Sequence, residues 1–274
     1  MKNTILTALA LLWGEALAGQ SFDLQKEEAS LDYCHDKSNA INKFKNIEAG
    51  KFGESTPGIM TKMVSSKKIA ALTFDACGGP TGSGFDSELI EFLKKEKIPA
   101  TLFVSGLWIE KNDSIFQQLC AEPLFEIENH GLAHRPCSIT AQSKYGIAGT
   151  DSVAAVFDEI ELNARQIAFY KKKKPRFYRP AAAAADEGCV SIAGELKEKI
   201  ISYDVLTGDA VRGLEASVIT KNIVKKTKPG SIIIMHMNHP ERNGFEALAK
   251  AVPELRKQGY VFVRLEDHPL AGKK

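Results

Sequence analysis

Two of the six histidines in this 274-residue chain, His130 and His134, stand four residues apart. On one helical turn, two imidazoles at that spacing can meet one metal ion. A borderline-soft divalent ion such as Zn²⁺ suits imidazole nitrogen combined with a carboxylate. The bare spacing fits two partly exposed surface histidines equally well, so the surrounding residues must decide. Asp75 closes the apolar run Ile69-Ala70-Ala71-Leu72-Thr73-Phe74. Such an Asp can be a helix cap, or, beside a metal, a base that takes a proton from bound water. His236 closes the apolar run Ser231-Ile232-Ile233-Ile234-Met235, as a satisfied core histidine or as a general acid. Arg179 follows Phe177-Tyr178, and Asp204 and Asp209 follow Ile200-Ile201-Ser202-Tyr203. Arg179 and Asp209 could be a plain ion pair, or could hold the carboxylate and the imidazole in charge and orientation.

These residues share one property: each lies at or just beyond the end of a short apolar run. The runs begin at Ile69, Thr101, Leu124, Arg176, Ile200, Ser231 and Tyr260. Stretches with helical periodicity separate them, near 87–93, 109–119, 150–169, 186 onward, 214–224 and 245–255. About seven strands alternating with helices imply parallel pairing with crossover connections. Continuous apolar runs are expected where both faces of a sheet are covered. The loop after the first strand, Gly78-Gly79-Pro80 to Gly84, lacks the dinucleotide-binding spacing, which favours a barrel over an open doubly wound sheet. In either fold the C-terminal strand ends form one face and active sites gather there. That placement brings the two histidines onto the same rim as Asp75 and favours the metal reading.

Lys and Arg number 36 against 34 Asp and Glu, a net charge of +2. Near-balance excludes a nucleic-acid binder that relies on a basic surplus, and no basic–aromatic interleaving appears. Lys2, the apolar run from Ile5 to Trp13 and the small-x-small Ala16-Leu17-Ala18 form a secretory leader pattern over residues 1–18. The run is too short to span a bilayer, which takes about 20 residues. A periplasmic or secreted protein without a transmembrane segment is expected. Residues 19–66 are polar and mixed and read as an N-terminal extension packed on the surface, with the barrel over 67–274. Five cysteines, Cys34, Cys77, Cys120, Cys137 and Cys189, allow two bridges and a spare thiol in an oxidising compartment.

Taken in order, these segments resemble the polysaccharide deacetylases, the NodB-homology domain of carbohydrate esterase family 4. Thr73-Phe74-Asp75-Ala76-Cys77-Gly78 is similar to the first motif of that family. Glu126-Ile127-Glu128-Asn129-His130 through His134 is similar to the second, and Arg179-Pro180 to the third. Tyr203 to Asp209 resembles the fourth, and Ile233-Ile234-Met235-His236 the fifth. The resemblance covers about residues 67–266. It implies a distorted (β/α)7-type barrel and metal-dependent removal of acetyl groups from an N-acetylated glycan. It casts Asp75 as catalytic base, His130 and His134 as metal ligands and His236 as the acid that protonates the departing amine. Arg179 and Asp209 would support base and acid. Pro180 and a backbone N–H near Ala182 would line the substrate site.

Two departures stand out. The second Asp of the first motif, a metal ligand in the family, is Ala76, and the residues after Arg179-Pro180 are alanines from Ala181 to Ala185. Asp75 would then coordinate as well as act as base, or a Cys77 thiolate would ligate zinc. The preferred alternative for Cys77 is a bridge to Cys137 that pins two site loops. The same departures support a rival reading, a glycan-binding protein on this barrel that is catalytically impaired.

Overall fold

The computed structural model describes residues 21–272. The secretory leader pattern therefore lies outside the described residues. Among the described residues, no helix is long and apolar enough to cross a membrane.

The sheet is organised on Ile69–Ala76, whose eight residues are all buried. It pairs in parallel with Ser231–His236 along Ala70 to Asp75 and with Ala100–Val104 along Thr73 to Ala76. Phe125–Asn129, Phe177–Tyr178 and Lys199–Ile200 continue the parallel order outward. On the other flank Met60–Met63 runs antiparallel to Ser231–His236. Met60 also bridges Ile201, just past the far edge strand, and its carbonyl accepts the Ser202 N–H at 2.8 Å. The two flanks of the curled sheet thus meet, which gives the distorted (β/α)7-type barrel.

Side-chain alternation divides the strands between two cores. Ala70, Leu72, Phe74 and Ala76 face outward and pack with Leu89, Leu93, Trp108, Val252 and Leu255 of the covering helices. Ala71, Phe103, Phe177, Ile201 and Ile232 fill the interior. The helices start where short polar side chains can satisfy free backbone donors. Asp86 caps Ser87–Lys95 by accepting the Leu89 N–H at 2.9 Å. Asp186 caps Glu187–Glu195 through the Cys189 N–H.

Some elements differ from the sequence reading. The helical stretch near 109–119 is two helices, Gly106–Lys111 and Asp113–Ala121. Between them the Asn112 amide donates to the Trp108 and Ser83 carbonyls, taking the place of helix continuation. Among the described residues ahead of the barrel, Leu24–Glu28 and Leu31–Phe44 are helices, and the chain then enters the sheet as Met60–Met63. The longer helix, Leu31–Phe44, packs on Val153–Lys171 with Tyr33 against Phe157. There Arg165 gathers Glu27, Asp32, Asp36 and Glu161.

The expected Cys77–Cys137 bridge does not form. Cys137 is bonded to Cys189, and Cys77 is free. The Cys137 segment lies parallel to Ala185 in a single bridge, with the Cys137 N–H donating to Ala184 at 2.9 Å. That sets Cys137 beside the first turn of Glu187–Glu195, in a core with Ile160 and Ile192, whereas Cys77 looks into the barrel mouth. Alkylation of the unfolded, unreduced protein should label Cys34, Cys77 and Cys120, with a Cys137–Cys189 peptide pair visible by mass spectrometry. A Cys77-containing pair would contradict this fold.

Candidate active site

Asp75 is 3% exposed at the end of the central strand. A carboxylate there must be compensated, since a buried charge without partners is strongly unfavourable. The partner is Arg179, itself fully buried, whose Nη1 donates to Asp75 Oδ1 at 2.7 Å and to Thr73 Oγ1 at 2.9 Å. Nη2 donates to the Ser202 carbonyl at 3.2 Å, and the guanidinium lies 4.1 Å from the centre of the Phe103 ring. Burial works against ionisation of Asp75. The Arg179 guanidinium, with His130 and His236, outweighs it and holds the carboxyl below its usual range. Thr73 escaped the sequence reading, although its place two residues before Asp75 puts it on the same face of the strand.

His130 and His134 come together, but not on a helical turn. They sit on a loop beyond Phe125–Asn129, and their ring centres are 4.7 Å apart. Gly131 breaks any helix there at φ +82°, and a Cβ at this position would lie 2.2 Å from Glu159 Oε1. That close approach lets the Glu159 carboxyl accept the Ala133 and Arg135 N–H groups at 2.9 and 3.0 Å. Burial raises its pKa to about 7 against those hydrogen bonds. Glu159 thus fixes the loop that carries both imidazoles. Its position amid the apolar residues of Val153–Lys171 was its only sequence signal.

The Arg179 carbonyl can only accept, so His130 Nδ1, 2.6 Å away, carries the proton. His130 Nε2 is left with its lone pair facing the site. Burial lowers the His130 pKa, and burial together with His130 lowers that of His134 to about 3. Both rings are therefore neutral at neutral pH, the form that binds a cation.

Cys77 Sγ is 3.7 Å from His130 Nε2, and one donor atom each from Cys77, His130 and His134 lie within 4.8 Å of one another. Tetrahedral ligands at zinc distances stand about 3.3–3.8 Å apart. The donor set therefore fits a divalent ion after small side-chain adjustments. Asp75 Oδ2 lies 3.8 Å from His130 Nε2, at the edge of this set. Burial and the neighbouring Asp75 and Asp209 charges push the Cys77 thiol up.

His236 pairs in register with Asp75 on the adjacent strand. Asp209 holds it twice: Oδ2 accepts the His236 N–H at 2.6 Å, and Oδ1 lies 3.2 Å from His236 Nδ1. Burial lowers the His236 pKa, but Asp209 more than reverses this, and the net direction is upward. Thr207 Oγ1 donates to Asp209 Oδ1 at 2.8 Å. Arg179 and Asp209 are thus not partners of each other: Arg179 pairs with Asp75, and Asp209 with His236. Asp204 lies at the opposite end of the barrel, where Oδ1 accepts the Ile232 N–H at 2.7 Å and Oδ2 accepts from Ser231 Oγ. The short strand Val205–Leu206 separates it from the rim.

After Arg179-Pro180 the chain turns through Ala182 and Ala183 at φ 55° and 49°. This left-handed conformation costs roughly 1–2 kcal/mol for each residue that bears a Cβ. Ala181 N–H donates to Arg135, Ala183 N–H to Pro180 and Ala184 N–H to Ala181. The Ala182 N–H takes no part in these backbone bonds.

Comparison with known proteins agrees with this geometry. The polysaccharide deacetylase family profile matches residues 62–200. A peptidoglycan-N-acetylglucosamine deacetylase of Bacillus cereus is 28% identical over 220 residues, 78% of this chain and 94% of its own length. A solved peptidoglycan N-acetylglucosamine deacetylase bound to a naphthalenyl N-hydroxybenzamide superposes with a TM-score of 0.66 at 25% identity, covering 79% of this chain and 95% of its own. A carbohydrate esterase family 4 pseudoenzyme of Bacillus anthracis shares the fold, with a TM-score of 0.64 at 22% identity over 85% of this chain and 80% of its own. On the matched profile, the barrel and the convergent rim residues, the chain belongs to the polysaccharide deacetylase family.

Proposed function

We propose that this chain is an exported, metal-dependent hydrolase that removes N-acetyl groups from amino sugars of an envelope or extracellular polysaccharide, of peptidoglycan or chitin type. The observation that carries this reading is the pairing of Asp75 and His236 in register on neighbouring parallel strands. Their environments push the two groups apart: Asp75 is held ionised and His236 is held toward its protonated form. Amide hydrolysis needs such a base and acid together.

The neutral His130 and His134 rings would hold the cation, with zinc the best match to imidazole donors. When bound, the ion polarises the amide carbonyl and acidifies water. Asp75 takes a proton from the attacking water, while Arg179 keeps its carboxylate charged and in place. His236 delivers a proton to the nitrogen as the C–N bond breaks, so that acetate and a free amine leave. Asp209 orients the His236 ring and stabilises its charged form. The Ala182 N–H, unused by its own turn, is the donor assigned to the carbonyl oxygen as negative charge develops. Pro180 shapes the wall beside it. Similarity to peptidoglycan deacetylases supports the glycan substrate, and the leader pattern supports export.

Acetate release from N-acetylated chitooligosaccharides and from peptidoglycan tests the reading. Zinc-loaded protein should release acetate, and chelator-treated protein should not. Glycan binding without acetate release would instead favour the impaired binding protein suggested by Ala76. Asp75→Asn should lower turnover by about 10²–10⁴-fold, as expected for loss of a general base, in protein that still folds but is less stable because the Arg179 charge loses its partner. His130→Ala or His134→Ala should lose bound metal and turnover together, and full activity in either would remove that residue from the site. In Asp209→Asn, loss of the carboxylate lowers the His236 pKa. An acid must be protonated to act, so the alkaline fall of the pH–rate profile should move to lower pH. An unmoved alkaline limb would separate Asp209 from that proton.

A further inference from the structure

Three features of the chain fix Cys77 where it is. The strand alternation that turns Asp75 inward sends Ala76 into the outer core, where it is fully buried, and returns Cys77 to the interior side. Ser105 then clamps the backbone on both sides of the thiol, its N–H on the Ala76 carbonyl at 3.1 Å and its Oγ on the Cys77 carbonyl at 2.7 Å. Gly78 follows at φ +77°, where a Cβ would lie 2.6 Å from the Trp108 N, so the chain must turn sharply after Cys77. The sulfur remains free while Cys137 and Cys189 are joined. Among the described residues, the His130 and His134 imidazoles are what share its donor cluster.

We propose that Cys77, His130 and His134 form a thiolate–diimidazole site for zinc-class ions, and that Asp75 stays outside the donor set as an uncoordinated carboxylate. This deepens the preceding functional reading and rests on it for the use of the ion. Binding is balanced by loss of one proton from the Cys77 thiol to solvent. The product is a metal centre with one anionic and two neutral ligands and a single residual positive charge. Three protein ligands leave a fourth tetrahedral position open, the arrangement of catalytic rather than structural zinc. A thiolate in the set favours Zn²⁺ and Co²⁺ over Mg²⁺, Ca²⁺ and Mn²⁺. Asp75 has one oxygen committed to Arg179 at 2.7 Å. Its other oxygen stands 3.8 Å from His130 Nε2, and among the described residues Asp75 is not one of the donors that lie within 4.8 Å of one another around Cys77.

The test is cobalt substitution of the whole protein, stripped of metal and titrated with Co²⁺. A sulfur-to-cobalt charge-transfer band in the near ultraviolet should saturate at one equivalent. It should persist in a Cys34→Ser/Cys120→Ser variant and in Asp75→Asn, and vanish in Cys77→Ser. Zinc affinity should fall by about 10-fold or more in Cys77→Ser, at least the loss seen when a supporting residue of a metal site is removed. A second measurement needs no variant: one equivalent of Zn²⁺ should slow alkylation of Cys77 by about 10-fold or more, since a metal-bound thiolate must be released to react freely. Absence of cobalt binding, cobalt bound without the band, a band that survives Cys77→Ser, or unchanged Cys77 alkylation in zinc-loaded protein would each overturn the site. Acetate release by zinc-loaded protein without the band would leave the deacetylase reading standing and remove Cys77. The band without acetate release would do the reverse.

Discussion

The buried ion pair between Arg179 and Asp75 is the constraint on which the rest of the site depends. A guanidinium with no exposed surface and a carboxylate at 3% exposure are tolerable inside a barrel only together. Removing one partner of such a pair costs about 3–5 kcal/mol because the other charge is left uncompensated. The pair is therefore a structural commitment as well as a chemical one. It ties the end of the Ile69–Ala76 strand to the residue after Phe177–Tyr178, across the interior of the barrel. Through its carbonyl, Arg179 also sets the tautomer of His130. One residue thus fixes the charge of Asp75 and leaves the Nε2 lone pair of His130 free.

Around that pair, strand register does the positioning. Parallel strands in register put Asp75 beside His236, and their partners, Arg179 and Asp209, arrive from other elements to bias the two in opposite directions. The histidine loop is held from behind by Glu159 and from below by Asn129. Asn129 Oδ1 accepts from the Gly131 N–H and Asn163 Nδ2, and its Nδ2 donates to the Ile160 carbonyl and the Glu198 carboxylate. The Cys137–Cys189 bond then anchors the continuation of that loop near the strained alanine turn. The rim is built from irregular backbone, but each irregular piece is bonded to a regular one.

Much of this arrangement was legible because apolar runs announce buried parallel strands, and strand ends announce a rim. Asp75, His130, His134, Arg179, Asp209 and His236 could each be placed there from sequence. Besides the supporting residues Thr73 and Glu159, three features were not legible, each for a local reason. The His130–His134 spacing fits a helical turn, and only the Gly131–Glu159 contact shows that the chain takes a loop. Asp204 and Asp209 are five residues apart, yet a two-residue strand between them sends them to opposite ends of the barrel. Cysteine pairing depends on which face each sulfur presents. Cys137 turns into the core beside Cys189, while the alternation through Ala76 keeps Cys77 with the imidazoles.

The account turns on Asp75 remaining a free base beside a cation that other residues hold. A crystal structure of the zinc-loaded protein tests this most directly. The account predicts density for one ion bonded to Cys77, His130 and His134, with Asp75 still paired to Arg179. An ion held elsewhere, or either Asp75 oxygen bonded to the metal, would contradict it.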